Sequence, residues 1–279
     1  MMLQNKNAVI YGAGGSLGGA VAKALAAAGA HVFLTGRNIA SVQKIATEIT
    51  ASGGNVEVDE VDAFDEKAVD DHLKKIIAQD GKLDISFNAV GIDLKQNVPL
   101  VELTIAEYVN PVTEMLKTRF LTATAAGKLM MEQGSGVILS LTATPGGIGY
   151  PYTAGFAAAC AAVESLSCNL ASELGIYGVR AVNIRSGGSP DSAVFKEAIE
   201  AYPQEMQGVL QNMKADTMIK KLPLMADIAN TAVFLASDMA AMITGVTVDV
   251  TGGTTAGLNY RAIKQQQDNN YRLSAGSKI

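Results

Sequence analysis

The sequence predicts an α/β protein with a doubly wound sheet of seven mainly parallel strands, helices on both faces, in a single domain spanning residues 1–257. Short runs rich in β-branched residues alternate with longer segments in which apolar residues recur every three or four positions. This alternation is typical of a parallel sheet that is covered on both faces. With 279 residues, 48% hydrophobic and 18% charged, the chain can bury a large core.

Seven segments have the composition of strands, in chain order NAVIYG, HVFLTG, NVEVDEV, LDISFNAVG, GVILSLT, VRAVNIR and VTVDVTGG. Helical periodicity covers residues 17–29, 38–52, 65–79, 104–132, 152–176 and 226–237. Right-handed crossovers bring the carboxyl ends of the strands to one edge, where the ligand crevice of such sheets opens. Residues 258–279 turn polar after the last strand and are interpreted as a C-terminal tail.

Composition and charge exclude several classes of protein. A net charge of -5 and a pI near 5.1 argue against a nucleic-acid partner. Apolar segments are interrupted before about 18 residues, so no membrane span is expected, and the amino terminus leaves no room for a signal peptide. We interpret Cys160 and Cys168 as reduced thiols of a cytoplasmic protein. No metal site is expected, because His31 and His72 have no cysteine or histidine at metal-ligand spacing.

A glycine cluster follows the first strand, in the segment YGAGGSLGGAVAKALAAAGA. Glycines let the backbone adopt positive φ angles and approach a phosphate closely, and the free amides at the start of the next helix stabilise its charge. A strand, a glycine cluster and an Ala-rich helix together match the dinucleotide fingerprint of a Rossmann-like fold. The alternative is a tight turn with a purely structural role.

The second strand ends in FLTGRN and predicts which dinucleotide is preferred. Proteins that bind NAD usually place a carboxylate here to accept from the ribose 2′-hydroxyl. This chain has Arg37 instead, and a guanidinium suits a 2′-phosphate. The sequence therefore favours NADP over NAD, with stacking of Arg37 on the adenine as the alternative.

These segments resemble the short-chain dehydrogenase/reductase family from about residue 5 to residue 255. Its TGxxxGxG motif is met by Tyr11, Gly12 and Gly18, with Ser16 at the middle glycine. The resemblance implies homodimers or homotetramers that pair through the last strand, and a lid over the substrate at residues 189–222. It also implies a set of cofactor-binding residues, namely Gly12, Gly14, Gly15, Ser16, Leu17, Gly18, Arg37, Asp62, Asn88, Gly91, Gly188 and Ser189.

The catalytic residues of the family are less well matched. Members use a Ser–Tyr–Lys set, with the lysine four residues after the tyrosine and an Asn on an earlier helix. The resemblance puts the tyrosine at Tyr152 and the lysine at Phe156. It puts the serine at Ala143, beside Thr142 and Thr144, and the Asn near Met115. The loop from strand five to Tyr152 is then a few residues shorter than the family's.

Without the lysine, the pKa of a phenol relaxes toward about 10, which costs roughly 4 kcal/mol for any step that needs the anion at pH 7. Carbonyl reduction instead needs a neutral phenol. We therefore expect an NADP-dependent oxidoreductase that reduces a carbonyl or activated alkene of a small organic substrate. Tyr152 would donate the proton and Thr142 would orient the carbonyl.

Three methionines in the lid, Met206, Met213 and Met218, favour an apolar substrate. Three alternatives stay open. The first is that Tyr152 is a packing residue, and the second is that the protein is a non-catalytic NAD(P)-binding sensor or partner. The third is redox-neutral chemistry like that of the halohydrin dehalogenases, which resemble this family.

Overall fold

One seven-stranded parallel sheet forms the centre of the computed structural model, which describes residues 1–256. The strands are β1 (Asn7–Tyr11), β2 (His31–Gly36), β3 (Asn55–Glu60), β4 (Ile85–Asn88), β5 (Gly136–Ala143), β6 (Val179–Ser186) and β7 (Thr247–Val250). Their order is β3-β2-β1-β4-β5-β6-β7, and every pairing is parallel. The predicted doubly wound sheet is thus confirmed, and strand order reverses between β1 and β4.

Eight α-helices are present among the described residues. They are α1 (Ser16–Ala27), α2 (Ile39–Ala51), α3 (Glu66–Asp80), α4 (Ile105–Gln133), α5 (Phe156–Leu174), α6 (Ala193–Ala201), α7 (Pro203–Asp216) and α8 (Met225–Ala236). Within residues 1–256 none of these helices is long and apolar enough to cross a bilayer. The predicted tail, residues 258–279, lies outside the described residues.

Two apolar clusters, one on each face of the sheet, hold the layers together. The first joins α1, α2 and α8 to the sheet, and the second joins α3, α4 and α5 to the other side. All five residues of β1 are buried, as expected for a strand covered on both faces. Fully buried side chains such as Phe87 and Ile10 each contribute about 1.5–3 kcal/mol from the area that they remove from water.

Helix α5 begins four residues later than the periodicity predicts. Tyr152 and Ala154 have φ angles of 62° and 51°, outside the right-handed helical region. Gly155 then packs so closely on the backbone of Tyr108 that a Cβ would overlap its carbonyl oxygen. The segment before Phe156 is therefore a turn, which moves Tyr152 off the helix. The lid also contains two helices, α6 and α7, that the sequence pattern did not define.

A capping box fixes the start of α4, the helix that borders the candidate site. The Thr104 hydroxyl accepts from the Glu107 amide at 3.3 Å, and the Glu107 carboxylate accepts from the Thr104 amide at 2.8 Å. Two amides that the first turn leaves without helical partners are thereby satisfied.

We predict that Thr104→Ala lowers the free energy of unfolding by about 1 kcal/mol, because one of these amides loses its acceptor. Urea denaturation measures the change. Thr113→Ala is the matched control, since Thr113 is exposed inside the same helix and alanine is the better helix former there. An equal loss in both variants would contradict the capping role.

Candidate functional site

A cleft of about 390 Å³ opens at the carboxyl edge of the sheet, beside the point where strand order reverses. Six of the residues predicted to bind a cofactor line it, namely Gly12, Gly14, Gly15, Arg37, Asp62 and Gly91. They come from the ends of different strands and are brought together by the parallel register, as expected for the crevice of a doubly wound sheet.

The glycine loop fits the diphosphate of a dinucleotide. Gly12 has φ 75°, and a Cβ there would lie 2.9 Å from the carbonyl of Ala89 and from the Cα of Val90. A Cβ at Gly18 would overlap the carbonyl oxygen of Gly12. Glycine at both positions lets α1 begin in close contact with the end of β1, so that the first amides and the dipole of the helix face the cleft.

Ser16, at the position of the motif's middle glycine, makes a hydrogen bond to the predicted lid. Its hydroxyl accepts from the amide of Ala193, the first residue of α6, at 2.9 Å. This hydrogen bond joins the glycine loop to the lid.

The end of the cleft at β2 is suited to a 2′-phosphate. The Arg37 guanidinium lies 5.8 Å from the centre of the Phe64 ring, and Asn38 and Ser41 line the wall beside it. No carboxylate within residues 1–256 forms an ion pair with Arg37. Asp62 shares the cleft, and its carboxylate accepts from the Phe64 amide at 3.0 Å. The charge on Arg37 is therefore available to an anion.

Asn88 braces the floor of the cleft from below. Its side-chain amide donates to the carbonyl of Thr118 at 3.2 Å and to the hydroxyl of Thr122 at 2.9 Å, and its oxygen accepts from the Val90 amide. The buried side chain thus shapes the backbone that follows β4, which runs through Val90 to Gly91.

Gly188 and Ser189 follow β6 and meet the lid. A Cβ at Gly188 would overlap the Met213 methyl group and crowd Phe195, so the lid packs directly on this backbone. The Ser189 hydroxyl is buried and has no hydrogen-bond partner in the described part of the chain.

The hydroxyl of Thr142 is already used by the protein, which argues against its expected role. It donates to the Glu164 carboxylate at 2.9 Å and accepts from the Asn183 amide at 2.7 Å. Glu164 also pairs with Arg185, which in turn bonds Asp249. The sequence could not reveal this, because the partners come from α5, β6 and β7. Thr142 therefore has no proton left for a substrate carbonyl.

Tyr152 lies on the turn before α5, and its side chain is 57% exposed. Within residues 1–256 its phenol makes no hydrogen bond. Tyr150, two residues earlier, lines a cavity of about 30 Å³ with Thr144, Gly188 and Met213. Burial, and then the charge of Asp216, raise the pKa of the Tyr150 phenol. Tyr150 is thus the protonated tyrosine that faces the lid, and the sequence analysis gave it no role.

An apolar cluster stands where the resemblance places polar catalytic groups. The cluster contains Met115 from α4 and Cys160 of α5, and Ala143 at the end of β5 and Phe156 at the start of α5 are among the residues packed against it. Phe156 and Cys160 are four residues apart and so share one face of α5. We call these four residues the apolar tetrad.

Cys160 is fully buried in this cluster, and burial raises the pKa of its thiol to about 11. A hydrogen bond to the Ala143 backbone and the charges of Arg119 and Arg185 act weakly in the opposite direction. The thiol is therefore protonated at neutral pH and behaves as a small apolar side chain.

Arg119 is a charged neighbour of the tetrad that the sequence analysis missed. It lies on α4, one turn after Met115, and is only 5% exposed. Burial lowers the pKa of its guanidinium to about 10, so the group is still a cation at pH 7. No carboxylate within the described residues pairs with it. The signal in the sequence was an arginine with no acidic residue three or four positions away on a helix.

Comparisons with known proteins agree with the fold. The family described as enoyl-(acyl carrier protein) reductase matches residues 12–255. Levodione reductase of Leifsonia aquatica is 32% identical over 251 residues, 89% of this chain and 93% of that protein. The 2,3-dihydro-2,3-dihydroxybenzoate dehydrogenase of Bacillus subtilis is 29% identical over 260 residues, 92% and 98% of the two chains.

A crystal structure of levodione reductase superposes with a TM-score of 0.84 at 28% identity, covering 92% of this chain and all of that one. The chain therefore belongs to the short-chain dehydrogenase/reductase family, whose members are NAD(P)-dependent oxidoreductases.

We predict that Cys160→Lys lowers the free energy of unfolding by roughly 3–5 kcal/mol, because it buries a second cation near Arg119 while Glu164, the carboxylate that acts on position 160, is already paired with Arg185. Urea denaturation measures the loss. Cys160→Met adds similar length without charge and should cost less, about 1–3 kcal/mol. Replacing Arg119 by methionine in the Cys160→Lys background should recover stability. Equal stability of the lysine and methionine variants would contradict the electrostatic reason.

Proposed function

We propose that the protein binds NADP(H) in this cleft as a cofactor-responsive sensor or partner protein, without the proton relay of its family. The observation that carries the proposal is an open, phosphate-compatible cleft in a chain whose family relay positions hold an apolar tetrad. When bound, NADP(H) would supply a hydride donor or acceptor. Gly12 and Gly18 would admit its diphosphate, and Arg37 would hold its 2′-phosphate.

The start of α5 supports a different register for the family's motif from the one that the sequence favoured. The family's tyrosine and lysine are four residues apart, and Phe156 and Cys160 are a pair at that spacing that belongs to the same apolar cluster as Ala143 and Met115. Assigning the motif to them also lengthens the loop after β5 by four residues, which removes the apparent shortening. All four relay positions are then apolar: Met115, Ala143, Phe156 and Cys160.

The energetic consequence is large for reactions at oxygen. Loss of an oxyanion donor typically slows a reaction roughly 10²–10³-fold, and loss of a general acid roughly 10²–10⁴-fold. The tetrad contains no hydroxyl, ammonium or amide side chain that could replace either group. A carbonyl facing it would gain negative charge with no donor from these four residues except the weakly donating Cys160 thiol.

We predict that Arg37→Ala weakens NADPH binding roughly 10–100-fold and changes NADH binding little, because only NADPH carries the 2′-phosphate that a guanidinium binds through charge-assisted hydrogen bonds. Calorimetric titration of the purified protein with both nucleotides measures this. Lys44→Ala removes an exposed cation of the adjacent helix, outside the cleft, and should leave both affinities unchanged. Binding of neither nucleotide to folded wild-type protein would refute the proposed function.

A second candidate is the reductase that the sequence favoured, with a tyrosine as proton donor to a carbonyl or activated alkene. The position of Tyr150 in the lid-side cavity is the observation that favours it, together with its raised pKa. Thr144 lines the same cavity, although its hydroxyl donates to the Ser186 carbonyl at 3.3 Å. Tyr152, the donor expected from the sequence, is more exposed and farther along the turn.

Turnover measurements separate the two candidates. The sensor predicts NADPH binding with no oxidation of NADPH by any member of a panel of ketones and enones. The reductase predicts turnover that is lost in Tyr150→Phe or in Tyr152→Phe, and the pair of variants identifies which phenol acts. Turnover that neither variant changes would exclude both tyrosines as the donor.

A further inference from the structure

The guanidinium of Arg119 is buried with part of its hydrogen-bonding capacity unused. Nη1 donates to the Val90 carbonyl at 2.8 Å and to the Thr118 hydroxyl at 3.0 Å. Nε is buried without a partner, and within residues 1–256 Nη2 makes no hydrogen bond. Buried charges are normally paired or fully hydrogen-bonded. This one has neither a carboxylate nor a full set of acceptors.

The guanidinium lies at the boundary between two features already described. Its acceptor Val90 belongs to the backbone after β4 that lines the dinucleotide cleft. Its neighbour Cys160, whose thiol influences the pKa of Arg119, belongs to the apolar tetrad. The cation therefore lies between the cleft backbone at Val90 and the tetrad residue Cys160.

We propose that Arg119 is a cofactor-binding residue whose guanidinium donates to the nicotinamide-side ribose of NADP(H), and so supplies from α4 the cation that the family supplies from α5. This inference rests on the proposed binding of NADP(H). The ribose hydroxyls are acceptors for the unused N–H groups. The charge of Arg119 near position 160 also accounts for an uncharged residue there, since Glu164, the carboxylate that acts on that position, is already paired with Arg185.

A purely structural role makes a different prediction. In that case Arg119 only braces Val90, and a water completes its hydrogen bonds. A cavity of about 10 Å³, lined by Arg119 together with Ser86, Ser140 and Ser167, has room for about one water. The cleft lining that contains Gly12 and Asp62 also contains Ala89, Val90 and Gly91. If Arg119 were only a brace for this backbone, its loss would weaken binding of the adenosine portion and of the whole dinucleotide equally.

Two probes distinguish these roles in calorimetric titrations: NADPH, and adenosine 2′,5′-bisphosphate, which lacks the nicotinamide and its ribose. We expect Arg119→Met to weaken NADPH roughly tenfold or more and to leave the bisphosphate within about twofold. Arg119→Lys, which keeps the charge, should retain most of the NADPH affinity. Arg37→Ala is the control for the other end and should weaken both probes. Equal weakening of both probes by Arg119→Met, or no weakening of either, would overturn the inference.

A measurement on the wild-type protein covers the case in which Arg119→Met does not fold. The Nε–H resonance of Arg119, assigned by its disappearance in Arg119→Lys, should shift on addition of NADPH and stay in place with the bisphosphate. A shift with both probes, or with neither, would count against the inference. If the folded wild type binds neither probe, it is the proposed function that fails. If it binds both and Arg119 does not respond, only the role of Arg119 fails.

Discussion

The close approach of three backbone segments at the carboxyl edge of the sheet is the constraint on which the rest of the site depends. The turn at Gly12 touches the backbone of Ala89 and Val90, and α1 is packed on that turn through Gly18. No side chain larger than hydrogen fits at either glycine. The same contact sets the floor of the cleft, because it fixes where the backbone after β4 runs.

The floor is also held from the opposite side, by two polar side chains. Asn88 fixes the Val90 amide, and Arg119 fixes the Val90 carbonyl. Both bonds are partly buried, so each is costly to break. The backbone beneath the proposed dinucleotide site is therefore braced on both sides, while the tetrad at the proposed relay positions offers only shape and apolar contact.

Most of the architecture could be predicted from local pattern, and most of the site's chemistry could not. Strands and helices repeat their signals over many residues, and the glycine loop is contiguous in the chain. The start of α5 depends on the contact between Gly155 and Tyr108, which are far apart in sequence. The hydrogen bonding of Thr142 likewise depends on Glu164, which is distant in sequence. No local pattern predicts that the Thr142 hydroxyl already donates to this carboxylate. Local pattern therefore could not place Tyr152 on the turn before α5 and Phe156 at the first position of the helix.

The hydrogen bond between Ser16 and Ala193 has a consequence for the mobility of the predicted lid. It connects residues 177 positions apart and ties the glycine loop to the first residue of α6. Movement of this helix away from the glycine loop breaks the bond and so costs free energy, on the order of 1 kcal/mol. A glycine at position 16 has no hydroxyl and would not impose that cost.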